Sequence, residues 1–224
     1  MPFWVNYSFS LRGQTMFEYL DREGPKAKAL FGFSLGEPVD PAIVPRTARA
    51  EQGTTMHDVF PMPGVNAVSE RFRDLVEEFA PGEHQFFELT LSHKDGTSYP
   101  GKYYTFNCTR RIDTFLVRES KLREIMLEMG MPCHETPGKR DELFISRPAR
   151  GDTHIWCENY SRLPGIMISD DFMAEVKKRK LTGLNTRGTF KELVVPYVAE
   201  EQVGAQLAWL RAHPEHLSVY NPIS

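Results

Sequence analysis

Cys133-His134 and His154-x-x-Cys157, with Glu158 next in line, gather thiols, imidazoles and a carboxylate in one half of the chain. Thiolate and imidazole suit Zn²⁺, and a Cys with a His is also the material of a nucleophile and its base. Spacing weakens the metal reading. Adjacent Cys133 and His134 rarely both reach one tetrahedral ion, and His154 and Cys157 point to opposite faces of an extended segment. A Cys–His pair across the fold stays open, and it defines the enzyme reading: a small hydrolase using Cys or His with a carboxylate. The other signatures of catalysis are missing. The sequence has no Gly-x-Ser-x-Gly elbow, no Walker A motif and no Gly-x-Gly-x-x-Gly. Gly32-Phe33-Ser34-Leu35-Gly36 lacks the following Lys-Ser/Thr and reads as a turn. We therefore assign no catalytic residue, no metal ligand and no cofactor.

Carboxylates offer a different chemistry. Glu77-Glu78, Asp170-Asp171 and Glu200-Glu201 are adjacent pairs. The last two open predicted helices, where acids complement the helix dipole. Glu70, Asp74 and Glu77 recur at i, i+4 and i+7 and form a stripe along one helix. Such a stripe is either a solvated face or an acidic docking strip for a basic partner. Arg71 and Arg73 flank it and partly neutralise it. Lys177 to Lys180 reads as a solvated helix end.

The elements that position these residues follow from period and punctuation. Ser69 caps a helix whose Phe72, Leu75, Val76 and Phe79 share one face, and Pro81-Gly82 stops it. Phe87, Leu89 and Leu91 alternate with polar residues, Asp95-Gly96 turns the chain, and Tyr104, Phe106 and Cys108 alternate on the return, giving a hairpin. Cys108 on that apolar alternation reads as a buried, inert thiol. A helix is predicted over Lys121 to Met129, ended by Gly130. Another starts at Ser169-Asp170-Asp171 and ends in Lys177 to Lys180, with Gly183 as terminator. The last runs from about Ala199 to Ala212, with Val203, Leu207 and Leu210 on one face. Strand-like runs cover Leu143 to Ile145, His154 to Cys157 and Ile166 to Ile168. Near the N-terminus, Trp4 to Phe9 alternates as a strand, and Thr15 with Glu18 fits a capping box for a short helix ended by Gly24. Glu37 to Asn66, with Pro38, Pro41, Pro45, Pro61 and Pro63, reads as a long irregular connection.

The 224 residues suit one large domain or two small ones, and we expect a single α+β domain over 1–224: an antiparallel, hairpin-containing sheet packed by several helices. The 41% hydrophobic content excludes a wholly disordered chain. A net charge of −3 speaks against nucleic acid or an anionic membrane as partner. Three cysteines, Cys108, Cys133 and Cys157, argue against a disulfide scaffold and for reduced thiols in the cytoplasm. No signal peptide and no membrane-spanning apolar run is read.

The succession of segments carries a resemblance. Val68-Ser69-Glu70-Arg71-Phe72 is followed by Ala80-Pro81-Gly82-Glu83-His84-Gln85-Phe86-Phe87-Glu88-Leu89 and by Asp95-Gly96 leading to Tyr104. Ile168-Ser169-Asp170-Asp171-Phe172 and Leu181-Thr182-Gly183-Leu184 come later. This order resembles immunity family eleven of bacterial polymorphic toxin systems, over about Val65 to Val194. On this basis residues 1–64 are an N-terminal extension, 65–195 the immunity-like core, and 196–224 a C-terminal helix and tail. The resemblance implies a cytoplasmic protein that binds and neutralises a cognate toxin encoded next to it. It carries over no catalytic residues. Glu70, Asp74 and Glu77 are the candidate toxin contacts. An enzyme that reverses toxin damage would combine the two readings, and the sequence holds no motif for it.

Overall fold

Phe87, Leu89 and Leu91 are buried while Glu88 and Thr90 are exposed, and this period of two fixes the first sheet. A computed structural model of the chain describes residues 1–5, 14–23, 36–53, 55–135, 138, 142–160, 165–184 and 186–216. Its strands are β1 (Phe3–Val5), β2 (Met16–Tyr19), β3 (Thr47–Gln52), β4 (Val59–Met62), β5 (Val65–Ser69), β6 (Gln85–Ser92) and β7 (Tyr103–Asn107). β8 (Arg111–Ile112), β9 (Glu124–Met126), β10 (Pro132–His134), β11 (Leu143–Ser146), β12 (Ile155–Glu158), β13 (Ile166–Ile168) and β14 (Thr186–Leu193) follow. The helices are α1 (Glu70–Phe79), α2 (Arg147–Arg150), α3 (Asp170–Lys178) and α4 (Ala199–Ala212).

Among the described residues these form two six-stranded sheets and a two-stranded ribbon, an α+β arrangement. The first sheet runs β2-β3-β6-β7-β5-β4. It contains the predicted hairpin, with Gln85 opposite Asn107 and Leu89 opposite Tyr103. Asp95 accepts the Thr97 N–H at 2.9 Å, and Gly96 takes a φ of 86°, so the Asp-Gly pair makes the tight turn inside the connection. The sheet curls until its outer strands meet, with the Phe17 and Phe60 rings 5.5 Å apart. The second sheet runs β11-β14-β1-β13-β12-β8. Both sheets are mixed: β3–β6, β11–β14 and β12–β8 are parallel pairs.

One core lies between the sheets. Val68, Tyr104, Phe106 and Cys108 face Val5, Ile155, Ile166 and Ile168, with Phe72 and Leu75 of α1 and Phe172 and Val176 of α3 among them. The Phe72 and Phe172 rings meet edge-on at 5.9 Å and join the two helices. A second core fills the curl of the first sheet, around Phe17, Phe60, Phe87 and Leu89. A third covers the outer face of the second sheet, where Trp4, Trp156 and Met167 pack against Val203 and Leu207 of α4.

The structure corrects four expectations. The Thr15 to Gly24 helix is the strand β2 where described, paired antiparallel with β3. Phe17 and Tyr19 are buried with exposed Glu18 between them, and that alternation outweighs the capping-box pattern. The Lys121 to Met129 helix is the β9 arm of a hairpin with β10. Lys121 is left-handed at φ 53°, and Met126 and Met129 stay 65% and 45% exposed, so no helical face is buried there. The long irregular connection holds β3, β4 and the start of β5. Ala48 and Ala50 alternate with polar neighbours, and Pro61 sits on β4 at the sheet edge, where its missing N–H breaks no ladder bond. Gly183 does not stop α3, because Lys180 does so at φ 53°. The predicted strand beyond Val5, Gly24 and most of the Gly32 to Gly36 loop lie outside the described residues.

Candidate functional site

Ser69 accepts the Phe72 N–H at 3.3 Å and starts α1 where β5 ends. Phe72, Leu75 and Val76 are fully buried, which fixes the opposite face outward. Glu70, Asp74 and Glu77 lie along it, as their spacing predicts. Each already has an intramolecular partner. Glu70 sits 3.2 Å from Lys102 and 3.6 Å from Arg73. Asp74 pairs with Arg73 at 2.5 Å, and Glu77 accepts the Gly82 N–H at 3.0 Å. Beside Glu77, Glu78 and Arg179 form a two-pronged pair at 2.8 and 2.5 Å. Exposed pairs of this kind are worth about 0–1 kcal/mol each, so a partner's cations would displace them at little cost.

The end of α1 that carries Ser69 is pinned by Asp58. One carboxylate oxygen accepts from the Ser69 hydroxyl at 2.8 Å and faces Arg71 at 3.5 Å. The other accepts the Thr182 N–H at 2.9 Å. Backbone bonds run alongside, from Ser69 N to Asp58 O at 2.8 Å and from Val59 N to Thr182 O at 3.0 Å. Arg71 also donates to the Arg179 carbonyl at 2.6 Å. Gly183 extends the clasp: it has a φ of 95°, and a Cβ there would lie 1.8 Å from the Val59 carbonyl oxygen. The Ser-Glu-Arg-Phe and Leu-Thr-Gly-Leu segments thus meet across Asp58 and hold α1 against the strap after α3. Sequence spacing gave no sign of this, because Asp58 and Thr182 are far apart in the chain.

The thiols and imidazoles occupy separate structural places. Cys133 is buried in β10, with its sulfur 3.8 Å from the His134 carbonyl. The Cys157 thiol donates to the Cys108 carbonyl at 3.7 Å, and burial holds the Cys108 thiol well above the usual thiol range. His154 shares a 2.8 Å hydrogen bond with the Ser169 hydroxyl that caps α3, and its ring meets Phe79 edge-on. Among the described residues no three His, Cys, Asp or Glu side chains come together to hold a metal ion.

Glu158 is a buried polar pin. It lies on the same face of β12 as Trp156, the face that α4 covers, and the Trp156 indole N–H donates to it at 2.9 Å. The Thr114 and Phe115 N–H groups donate at 3.0 and 3.1 Å, and the Thr114 hydroxyl also bonds it. Burial, with Asp113 nearby, pushes its carboxyl up from 4.5 to about 7, and burial raises Asp113 as well. His84 is the opposite case. Neither ring nitrogen has a partner among the described residues, and burial beside Arg110 lowers it from 6.5 to about 4.

These shifts predict opposing pH slopes. Between 4.5 and about 7 folded Glu158 keeps a proton that the unfolded chain releases, so stability falls as pH rises. Between 6.5 and about 4 unfolded His84 takes a proton that the folded chain refuses, so stability falls as pH drops. The two offset each other between 4.5 and 6.5. His84→Phe removes one slope. Relative to the native chain, it gains about 2 kcal/mol of stability on going from pH 8 to pH 5, at about 1.4 kcal/mol per pH unit. Urea denaturation at both pH values measures this, and an unchanged difference would show that His84 is not held neutral.

The family model of an immunity protein family, Imm11, matches residues 21–189, a span that takes in the clasp, α1 and α3. No curated protein matches the chain.

Proposed function

The chain belongs to the immunity protein family Imm11, and from that membership we propose that it neutralises a cognate bacterial toxin by binding it. The reading is a protein–protein interaction in the cytoplasm of the producing cell, without a chemical step, as protection in interbacterial competition. The toxin is encoded beside it. The family match carries the proposal, and two structural observations support it. Cys133, His154 and Cys157 serve separate packing and capping tasks rather than one cleft. Glu70, Asp74 and Glu77 stand on a helix that Ser69 and Asp58 hold rigid, so they meet a basic toxin surface with little loss of freedom on binding. A specific inhibitor of this kind binds at about nanomolar Kd or tighter.

Co-expression with the product of the adjacent open reading frame tests this. Host survival and a complex that co-purifies are the expected results. Survival without any complex would point to enzymatic reversal instead.

A further inference from the structure

Gln202 and Gln206 are one turn apart on α4, and both are buried. The Gln202 carboxamide is satisfied at both ends: it accepts the Arg118 N–H at 2.9 Å and donates to Glu119 at 2.9 Å. Gln206 is 2% exposed, and neither its Oε1 nor its Nε2 has a partner among the described residues. Buried amides without partners are rare in folded proteins, and each calls for an explanation such as strain or a bound water, ion or partner. Gln206 lines a cleft of about 400 Å³ between α4 and the β9–β10 hairpin, a volume in the range of ligand pockets. On the hairpin side the cleft meets His134, whose Nδ1 is also buried and without a partner among the described residues.

The backbone of α4 opens toward the same cleft. Val203 has non-helical angles (φ −138°, ψ 29°) that kink the helix, and a Cβ added at Gly204 would find no atom within 4 Å. A main chain can therefore approach closely there. The mouth is close to neutral, with Glu124, Glu200 and Glu201 against Arg118 and Lys121, and Arg118 paired to Glu201 at 3.7 Å. This balance favours an uncharged, hydrogen-bonding occupant over an anion or a polycation.

We propose that the cleft between α4 and the β9–β10 hairpin receives an extended main-chain segment of the toxin, with the Gln206 carboxamide pairing to one of its residues. An extended residue presents its N–H and C=O on the same side, which matches the acceptor and donor of one carboxamide. The His134 ring supplies a third hydrogen bond. Gln206 and Gly204 lie beyond the segment that the family model matches, and His134 lies within it. The proposal rests on the toxin-binding reading above.

The test is the Kd of the purified, inactivated product of the adjacent open reading frame for three forms of the full chain: native, Gln206→Leu and Gly204→Leu. Gln206→Leu removes the amide without removing bulk. Gly204→Leu fills the open space at the kink. Both are expected to stay folded, with Tm within a few degrees of native, and to bind at least ten-fold more weakly. If Gln206→Leu alone fails to fold, Gly204→Leu carries the test. Native affinity in the folded variants would overturn the cleft proposal and leave the toxin-binding reading standing. No binding by the native chain would overturn that reading and this proposal with it.

Discussion

Replacing Gly183 by alanine lowers the stability of the fold by about 4 kcal/mol, in the range reserved for clashes and lost buried networks. The new Cβ would lie 1.8 Å from the Val59 carbonyl oxygen and 2.8 Å from the His57 Cβ, in a backbone conformation of φ 95°. The left-handed backbone accounts for about 1–2 kcal/mol. Relief of the clash must move the strap away from β4, and that stretches the Val59–Thr182 and Thr182–Asp58 hydrogen bonds, worth about 1 kcal/mol or more each. Gly82→Ala is the control. Gly82 is also left-handed at φ 69°, but its Cβ would meet nothing within 4 Å, so only about 1–2 kcal/mol is lost. Urea denaturation of the two variants compares them, and equal losses would show that the contact of Gly183 with β4 is not what matters.

Reversing the acidic strip with Glu70→Lys, Asp74→Lys and Glu77→Lys together weakens toxin binding by about a hundred-fold, because like charges facing each other across an interface cost several kcal/mol. The same triple variant stays folded. Its three side chains are on the outer face of α1, and each ion pair it breaks is worth at most about 1 kcal/mol. Calorimetric titration with the toxin, alongside a thermal melt, reads both quantities. Unchanged affinity in the folded variant would remove Glu70, Asp74 and Glu77 from the interface.

What the sequence disclosed depended on whether local signals agreed. At α1 a serine cap and a helical apolar period coincide, at α3 a Ser-Asp-Asp start precedes a basic end, and both helices begin where those signals place them. In β6 and β7 an alternation of two and an Asp-Gly turn point the same way. At Thr15 to Tyr19 a capping-box pattern competed with alternating Phe17 and Tyr19, and burial of the two rings decided for a strand. At Leu122 to Met129 helical spacing competed with the pairing of β9 to β10, and strand pairing won. β3 buries only small alanines and β4 is four residues long with Pro61 inside it, so neither announces itself.

The site divides along the same line. The stripe of Glu70, Asp74 and Glu77 is a local spacing and was legible together with flanking Arg73, whereas its partner Lys102 comes from tertiary packing. Glu158 stood among candidate catalytic groups in the sequence. In the structure it stands on the same face of β12 as Trp156 and is a hydrogen-bonded pin. Asp58, Thr182 and Gly183 form the clasp across a separation that no window of sequence spans. Gln206 drew no notice because a glutamine on a helix reads as surface until a third core is packed around it.

The central claim is neutralisation by binding without chemistry, and stoichiometry tests it most directly. A fixed amount of active toxin is titrated with increasing amounts of the chain, and residual toxin activity is measured once mixing is complete. Neutralisation by binding gives a linear fall to zero at a fixed, whole-number ratio, with full activity recovered when the complex is dissociated. Complete protection by a small fraction of one equivalent, or toxin that stays inactive after separation, would contradict it and show that the chain turns over.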